Sequence, residues 1–128
     1  MKEIPEQTIQ QSCYQWFNNT YCLIKHEPRL LIHSVPNGLP IQVKEQARIL
    51  DLLHKTGMVN GISDLIIHGV KGRCIMAECK TESGHQSEAQ QNIQRRVQDL
   101  NGIYFVFRNL ESFQEHISKH LPWLLGKE

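Results

Sequence analysis

Residues 60–80 read NGISDLIIHGVKGRCIMAECK. Two apolar runs, 64–68 and 73–80, are joined by GVKG, whose glycines suit a tight hairpin. No other stretch narrows the possible folds as much. A β-hairpin that reads as core needs further elements to cover it. Yet Asp64 opens the first run, and Glu78 and Lys80 close the second. Charged groups on strands that otherwise read as core call for a reason.

Around the hairpin the apolar spacing alternates between helix and strand. Pro5 suits a first helical turn, and Ile9, Cys13, Trp16 and Phe17 recur at helical spacing, predicting a helix over 5–18. RLLIHSV (29–35) predicts a strand and PNGLP (36–40) a turn. Val43, Ala47, Leu50 and Leu53 share one side of a helix over 42–56, with Gly57 as its stop. After the hairpin, Ala89, Ile93, Val97 and Leu100 form the inner face of a helix over 87–100. IYFVF (103–107) is a buried strand, and a last helix covers 110–121, ahead of Pro122. The order α-β-α-β-β-α-β-α predicts an α/β sandwich around a mixed sheet. With 128 residues and no linker or repeat, the chain is expected to form a single domain over 1–128.

Composition excludes some function classes. Fourteen basic residues against thirteen acidic ones leave a net charge of +1, unlike a polybasic binder, although a local patch is enough for nucleic acid. No apolar run approaches the roughly 20 residues of a membrane span, and MKEIPEQTIQQ lacks a signal-peptide core, so a cytosolic address is expected. Cys13, Cys22, Cys74 and Cys79 have no C-x-x-C spacing and read as reduced thiols. The histidines lack zinc-enzyme spacing.

Strand alternation points Glu78 and Lys80 to one side. A hairpin centred near Val70 and Lys71 places Asp64 opposite Ala77 or Glu78, so the two carboxylates can meet at its open end. Neighbouring carboxylates repel unless a cation lies between them. Hard oxygen donors suit Mg²⁺ or Mn²⁺, which can activate water and stabilise charge on a phosphate, with Lys80 beside it. The bland reading is a strand ending in a salt-bridged Glu–Lys pair.

The ordered set GISDLIIHG, CIMAECK and GHQSEAQ resembles the VRR-NUC branch of the PD-(D/E)XK nucleases, whose standalone members are small and often phage-encoded. The likeness is good over 57–107 and fainter upstream, at EQTIQ and HSVPNG. It implies the restriction-endonuclease-like α/β core, a central mixed sheet flanked by helices, and a divalent-metal-dependent DNA endonuclease. Flap or four-way-junction DNA is the substrate it favours, in a bacterial or phage-infected cytosol. An inactive nuclease-fold module that binds DNA or protein is the alternative. Ser63 stands where that family often has Pro, and Cys79 where its E-x-K motif has an aliphatic residue.

By this resemblance Asp64 and Glu78 are metal ligands, Lys80 is the catalytic lysine, Gln90 lies near the scissile phosphate, and Glu6 completes the metal site. Glu6 is also an ordinary first-turn acid, and Gln90 an ordinary capping-box partner of Ser87. His33 and Asn37 fit the family's H-x-x-P-N region as secondary DNA contacts. Lys71, Arg73, Arg95 and Arg96 are candidate phosphate contacts, and His85 reads as an exposed loop residue. Gly61 either permits a close backbone approach before Asp64 or simply turns the chain. A two-fold homodimer is expected, and the apolar group Leu121, Trp123, Leu124 and Leu125 either joins its interface or folds back on the core.

Overall fold

Leu65, Ile67, Ile75, Ala77, Phe105 and Phe107 occupy alternate strand positions, and alternation sends them all to one face of a sheet. A computed structural model describes residues 2–35 and 43–127, with the side chains of 43–46 outside the description. The predicted turn at 36–40 and Asn37 therefore lie outside the described residues. The elements run α1 (Glu6–Tyr21), β1 (Leu31–Ser34), α2 (Val43–Lys55), β2 (Leu65–His68), β3 (Cys74–Cys79), α3 (Glu88–Asp99), β4 (Ile103–Phe107) and α4 (Leu110–Leu124). The sheet order is β1-β2-β3-β4. β1–β2 and β2–β3 are antiparallel and β3–β4 is parallel, which makes the sheet mixed, with β3 inside it.

The main core lies between one sheet face and helices α1 and α4. Ile9, Cys13 and Phe17, each four residues apart, form the buried stripe of α1, and Phe113, Ile117 and Leu124 that of α4. Their rings interlock with the sheet, Phe107 and Phe113 at 4.9 Å between centroids. α3 covers the opposite face, where Ile66, Tyr104 and Ile93 are buried. Among the described residues no helix is long and apolar enough to cross a membrane.

Three expectations are corrected. Leu100 is 83% exposed, because α3 ends at Asp99 and Asn101 turns the chain at φ 61 toward β4, taking Leu100 off the inner face. On α2, Ala47 is exposed and Leu50 and Leu53 only half-buried. α4 passes through Pro122 to Leu124. Proline costs about 3 kcal/mol in a helix interior, but here it removes one bond near the end. Leu124 is fully buried, and Arg73 holds the last turn by donating to the Trp123 carbonyl (2.6 Å) with its guanidinium over the indole (5.2 Å). Leu124 of the C-terminal apolar group thus joins the chain's own core, with Leu121, Trp123 and Leu125 packed against it and partly exposed.

His116 and His120 lie half-buried on α4, their rings parallel to Phe105 at 4.4 and 6.3 Å. Burial holds both below the ordinary 6.5, aided by Lys119. The unfolded chain then binds more protons as pH falls past 6.5. Their contribution to stability is complete above that pH and is lost as pH drops toward the folded values. The buried Glu78 carboxyl works in the opposite direction over this range, so the histidine contribution is read as a difference: the urea midpoint of His116→Gln/His120→Gln relative to wild type is expected to be higher at pH 5.5 than at pH 7.5.

Candidate metal and phosphate site at the open end of the hairpin

The turn sets the register. Val70–Gly72 forms a single 3-10 turn with Lys71 at φ 58 and Gly72 at φ 71, and Gly69 N–H donates to the Arg73 carbonyl at 2.8 Å. Leu65 then pairs with Ala77, and the next step of the ladder sets Asp64 against Glu78. β2 begins only at Leu65, so the Cys79 N–H has no strand carbonyl to meet. The carboxylate of Asp64 takes that bond instead, Oδ2 accepting at 2.7 Å. Asp64 is thereby fixed at both ends, since its own carbonyl accepts from Val35 N–H at 3.0 Å. Ser63 beside it is fully buried, its hydroxyl donating to the Leu65 carbonyl at 3.2 Å.

Glu78 is only 1% exposed. Burial, a hydrogen bond with Asp64 and the Asp64 charge push its carboxyl up to about 9, while Lys80 and Tyr104 pull the other way. Two carboxyl groups thus converge at this point, and a proton on Glu78 relieves their repulsion. A hard divalent cation fits the same donors and would take the proton's place. Lys80 follows one step beyond β3, anchored by its N–H to the Phe107 carbonyl at 3.0 Å, and its charge is close enough to act on Glu78.

Asp64 also lines an open cleft of ≈ 800 Å³ between α1 and the edge strand β1. Glu6, Gln7, Gln10, Gln11 and Tyr14 form one wall, and Ile32, His33, Ser34 and Val35 the other. Glu6 thus shares the cleft with Asp64. Among the described residues, however, no group of three or more His, Cys, Asp or Glu side chains is arranged to hold a metal ion. The convergent set is the Asp64–Glu78 pair alone. Cys79 faces the core with its thiol pushed up by burial, which is a packing role.

Gln90 is committed to the helix cap. Its N–H donates to Ser87 Oγ at 3.1 Å, and its Oε1 accepts from Ser87 N–H at 2.9 Å, a complete capping box. Gly61, at φ +87, lets the loop before Asp64 press against that first turn of α3: a Cβ there would sit 2.4 Å from the Ala89 carbonyl oxygen. His33 has both ring nitrogens engaged, one 2.9 Å from His68 Nε2 and the other 3.1 Å from the Ser34 carbonyl oxygen. Arg95 and Arg96 are exposed on α3, Arg95 hydrogen-bonded to Asn92. His85 is exposed, as expected. Lys71 and Arg73 are at the closed end of the hairpin, the latter five residues from Glu78 along β3, about 16 Å at ordinary strand rise.

Sequence reasoning missed three residues. Tyr104, 6% exposed, points its hydroxyl at Glu78 Oε1 (3.4 Å). The Gln86 side chain lies within reach of that phenol and donates to Gln94 Oε1 at 2.9 Å. Arg108 pins the loop after Lys80 by donating to the carbonyls of Thr81 (2.6 Å) and Gly84 (2.7 Å). A tyrosine inside IYFVF was the only visible signal, and it needed the β3–β4 register to be meaningful.

No protein-family model and no curated protein matches the chain. Among solved structures, a VRR_NUC domain protein is similar at a TM-score of 0.72 and 18% identity, over 98% of this chain and 93% of that chain. The two share a fold: a mixed four-stranded sheet flanked by helices.

Proposed function

We propose that this chain is a divalent-metal-dependent deoxyribonuclease, an endonuclease of the PD-(D/E)XK type that cuts flap or four-way-junction DNA. The observation that carries the reading is the buried Glu78 carboxylate set opposite Asp64 by the hairpin register, with the Asp64 and Lys80 charges both acting on it. Its support beyond the site is the likeness in fold to a VRR_NUC domain protein.

Asp64 and Glu78 would hold Mg²⁺ or Mn²⁺, with Glu6 near enough along the cleft to approach when DNA binds. The bound ion supplies Lewis-acid polarisation of the phosphodiester and a lowered pKa for water. The chain's own residues do the remainder. Asp64 and Glu78 bring full negative charge once the proton on Glu78 leaves. Lys80 offsets charge that builds on the phosphate during attack. Gln90, while capped, presents the N-terminal turn of α3 to a phosphate oxygen. Arg95 and Arg96 extend this basic side, whereas Lys71 and Arg73 lie far from it.

Two copies acting together would present two such sites, as cutting both strands requires. Their contact would involve exposed apolar residues such as Ile24 (82%) and Leu31 (55%). The four free cysteines suit a reducing cytosol, bacterial or phage-infected.

The test is incubation of the purified protein with linear, flap and four-way-junction DNAs in Mg²⁺, Mn²⁺ or EDTA. Metal-dependent cleavage is expected, strongest on branched DNA. Binding is expected to weaken between 50 and 200 mM salt in a gel-shift series. DNA binding without cleavage in any metal would favour an inactive nuclease-fold module instead, a reading to which the lack of a third converging ligand among the described residues lends weight.

A further inference from the structure

On the nuclease reading, Glu78 must keep its carboxylate aimed at the cation. A ligating carboxylate is oriented by the groups that hydrogen-bond it from behind. The surroundings of Glu78 on its own sheet face therefore matter as much as Asp64. The parallel register pairs Met76 with Tyr104 and Glu78 with Val106, so Tyr104 is the diagonal neighbour of Glu78 on that face. The ring is buried, which keeps it from touching DNA. Its hydroxyl reaches Glu78 Oε1 at 3.4 Å, a long contact that leaves room to shorten toward an ionised carboxylate. Behind the phenol, the Gln86 side chain is within reach of the same oxygen and is itself tied to Gln94 of α3 at 2.9 Å.

We propose that Tyr104 and Gln86 are positioning residues that hold the Glu78 carboxylate in its cation-binding orientation, through a hydrogen-bond chain running from α3 to the site. Gln86 donates to the phenol oxygen and so leaves the phenol hydrogen for Glu78. The direction of donation is set by chemistry, since an ionised carboxylate only accepts and the phenol carries the hydrogen that faces Oε1. Arg108 supports the chain from below, because the loop it clamps leads directly into Gln86. Supporting contacts of this type change metal affinity by roughly 10–100-fold when removed.

The experiment is Mn²⁺ titration of the free protein, followed calorimetrically, without DNA. Tyr104→Phe keeps the ring and removes one hydroxyl. It is expected to weaken Mn²⁺ binding by about 10-fold. Gln86→Ala is expected to act in the same direction and to add little on top of Tyr104→Phe, since both belong to one chain. Cleavage by Tyr104→Phe is expected to fall in kcat with KM for DNA unchanged, and to recover at high Mn²⁺. A purely structural tyrosine would give a lower melting temperature with unchanged Mn²⁺ affinity in the folded protein, and that result overturns the proposal. Additive losses in the double variant overturn the chain. Wild-type protein that binds no Mn²⁺ removes the nuclease reading itself, a failure distinct from the other two.

Discussion

Asp64→Asn is expected to lower DNA cleavage by on the order of 10²–10³-fold or more, with the fold intact, and Lys80→Ala to do the same. The asparagine retains an oxygen that can accept the Cys79 N–H, a bond now made at 2.7 Å, so it removes charge without orphaning the backbone. Asp64→Ala is less clean. It relieves the contact with Glu78, which sequence reasoning alone would count as a gain in stability, but it also leaves the Cys79 N–H unpaired at about 1–3 kcal/mol. The alanine variant is therefore expected to melt no higher than wild type. Thermal melts beside cleavage rates separate the two effects. A folded Asp64→Asn protein cutting at the wild-type rate would sink the mechanism.

Gly61→Ala is expected to cost on the order of 2–4 kcal/mol. Two penalties act together: φ is +87, and the new Cβ would meet backbone atoms of Ala89 and Gln90 at 2.4–2.8 Å. Backbone cannot move aside as a side-chain tip can, so the loop must lift from the first turn of α3. Asp64 follows three residues later, so activity should fall further than stability alone explains. Gly57→Ala is the comparison, having a positive φ but no atom within 4 Å. Denaturant melts of both variants decide the matter: equal losses would mean that the close approach to α3 contributes nothing.

Element order, the IYFVF strand and the meeting of Asp64 with Glu78 were legible because they rest on short-range alternation and one turn. The turn geometry at Val70–Gly72 fixes the register that the sequence leaves open by one residue. What stayed hidden depends on contacts between distant segments. Tyr104 becomes a neighbour of Glu78 only through a parallel pairing that no local pattern specifies. Arg108 looks like any surface arginine until the loop carbonyls close around it. Pro122 reads as a stop because its local cost is visible and the stacking of Arg73 on Trp123 is not. Leu100 fits the helical stripe by spacing, yet the chain leaves the helix at that point.

Strand β3 is bordered by hydrogen-bonded strands on both sides, and that has a consequence for how the molecule comes apart. Its amides are expected to be the slowest of the sheet to exchange, whereas the segments entering β2 and leaving β3 are held by a few backbone and side-chain bonds. Glu78 is then expected to lie on a later unit to open than Asp64. The carboxylate pair spans that boundary. Mild heating or denaturant therefore parts the two acids while circular dichroism still reports a native sheet, and the chemistry fades before the fold does.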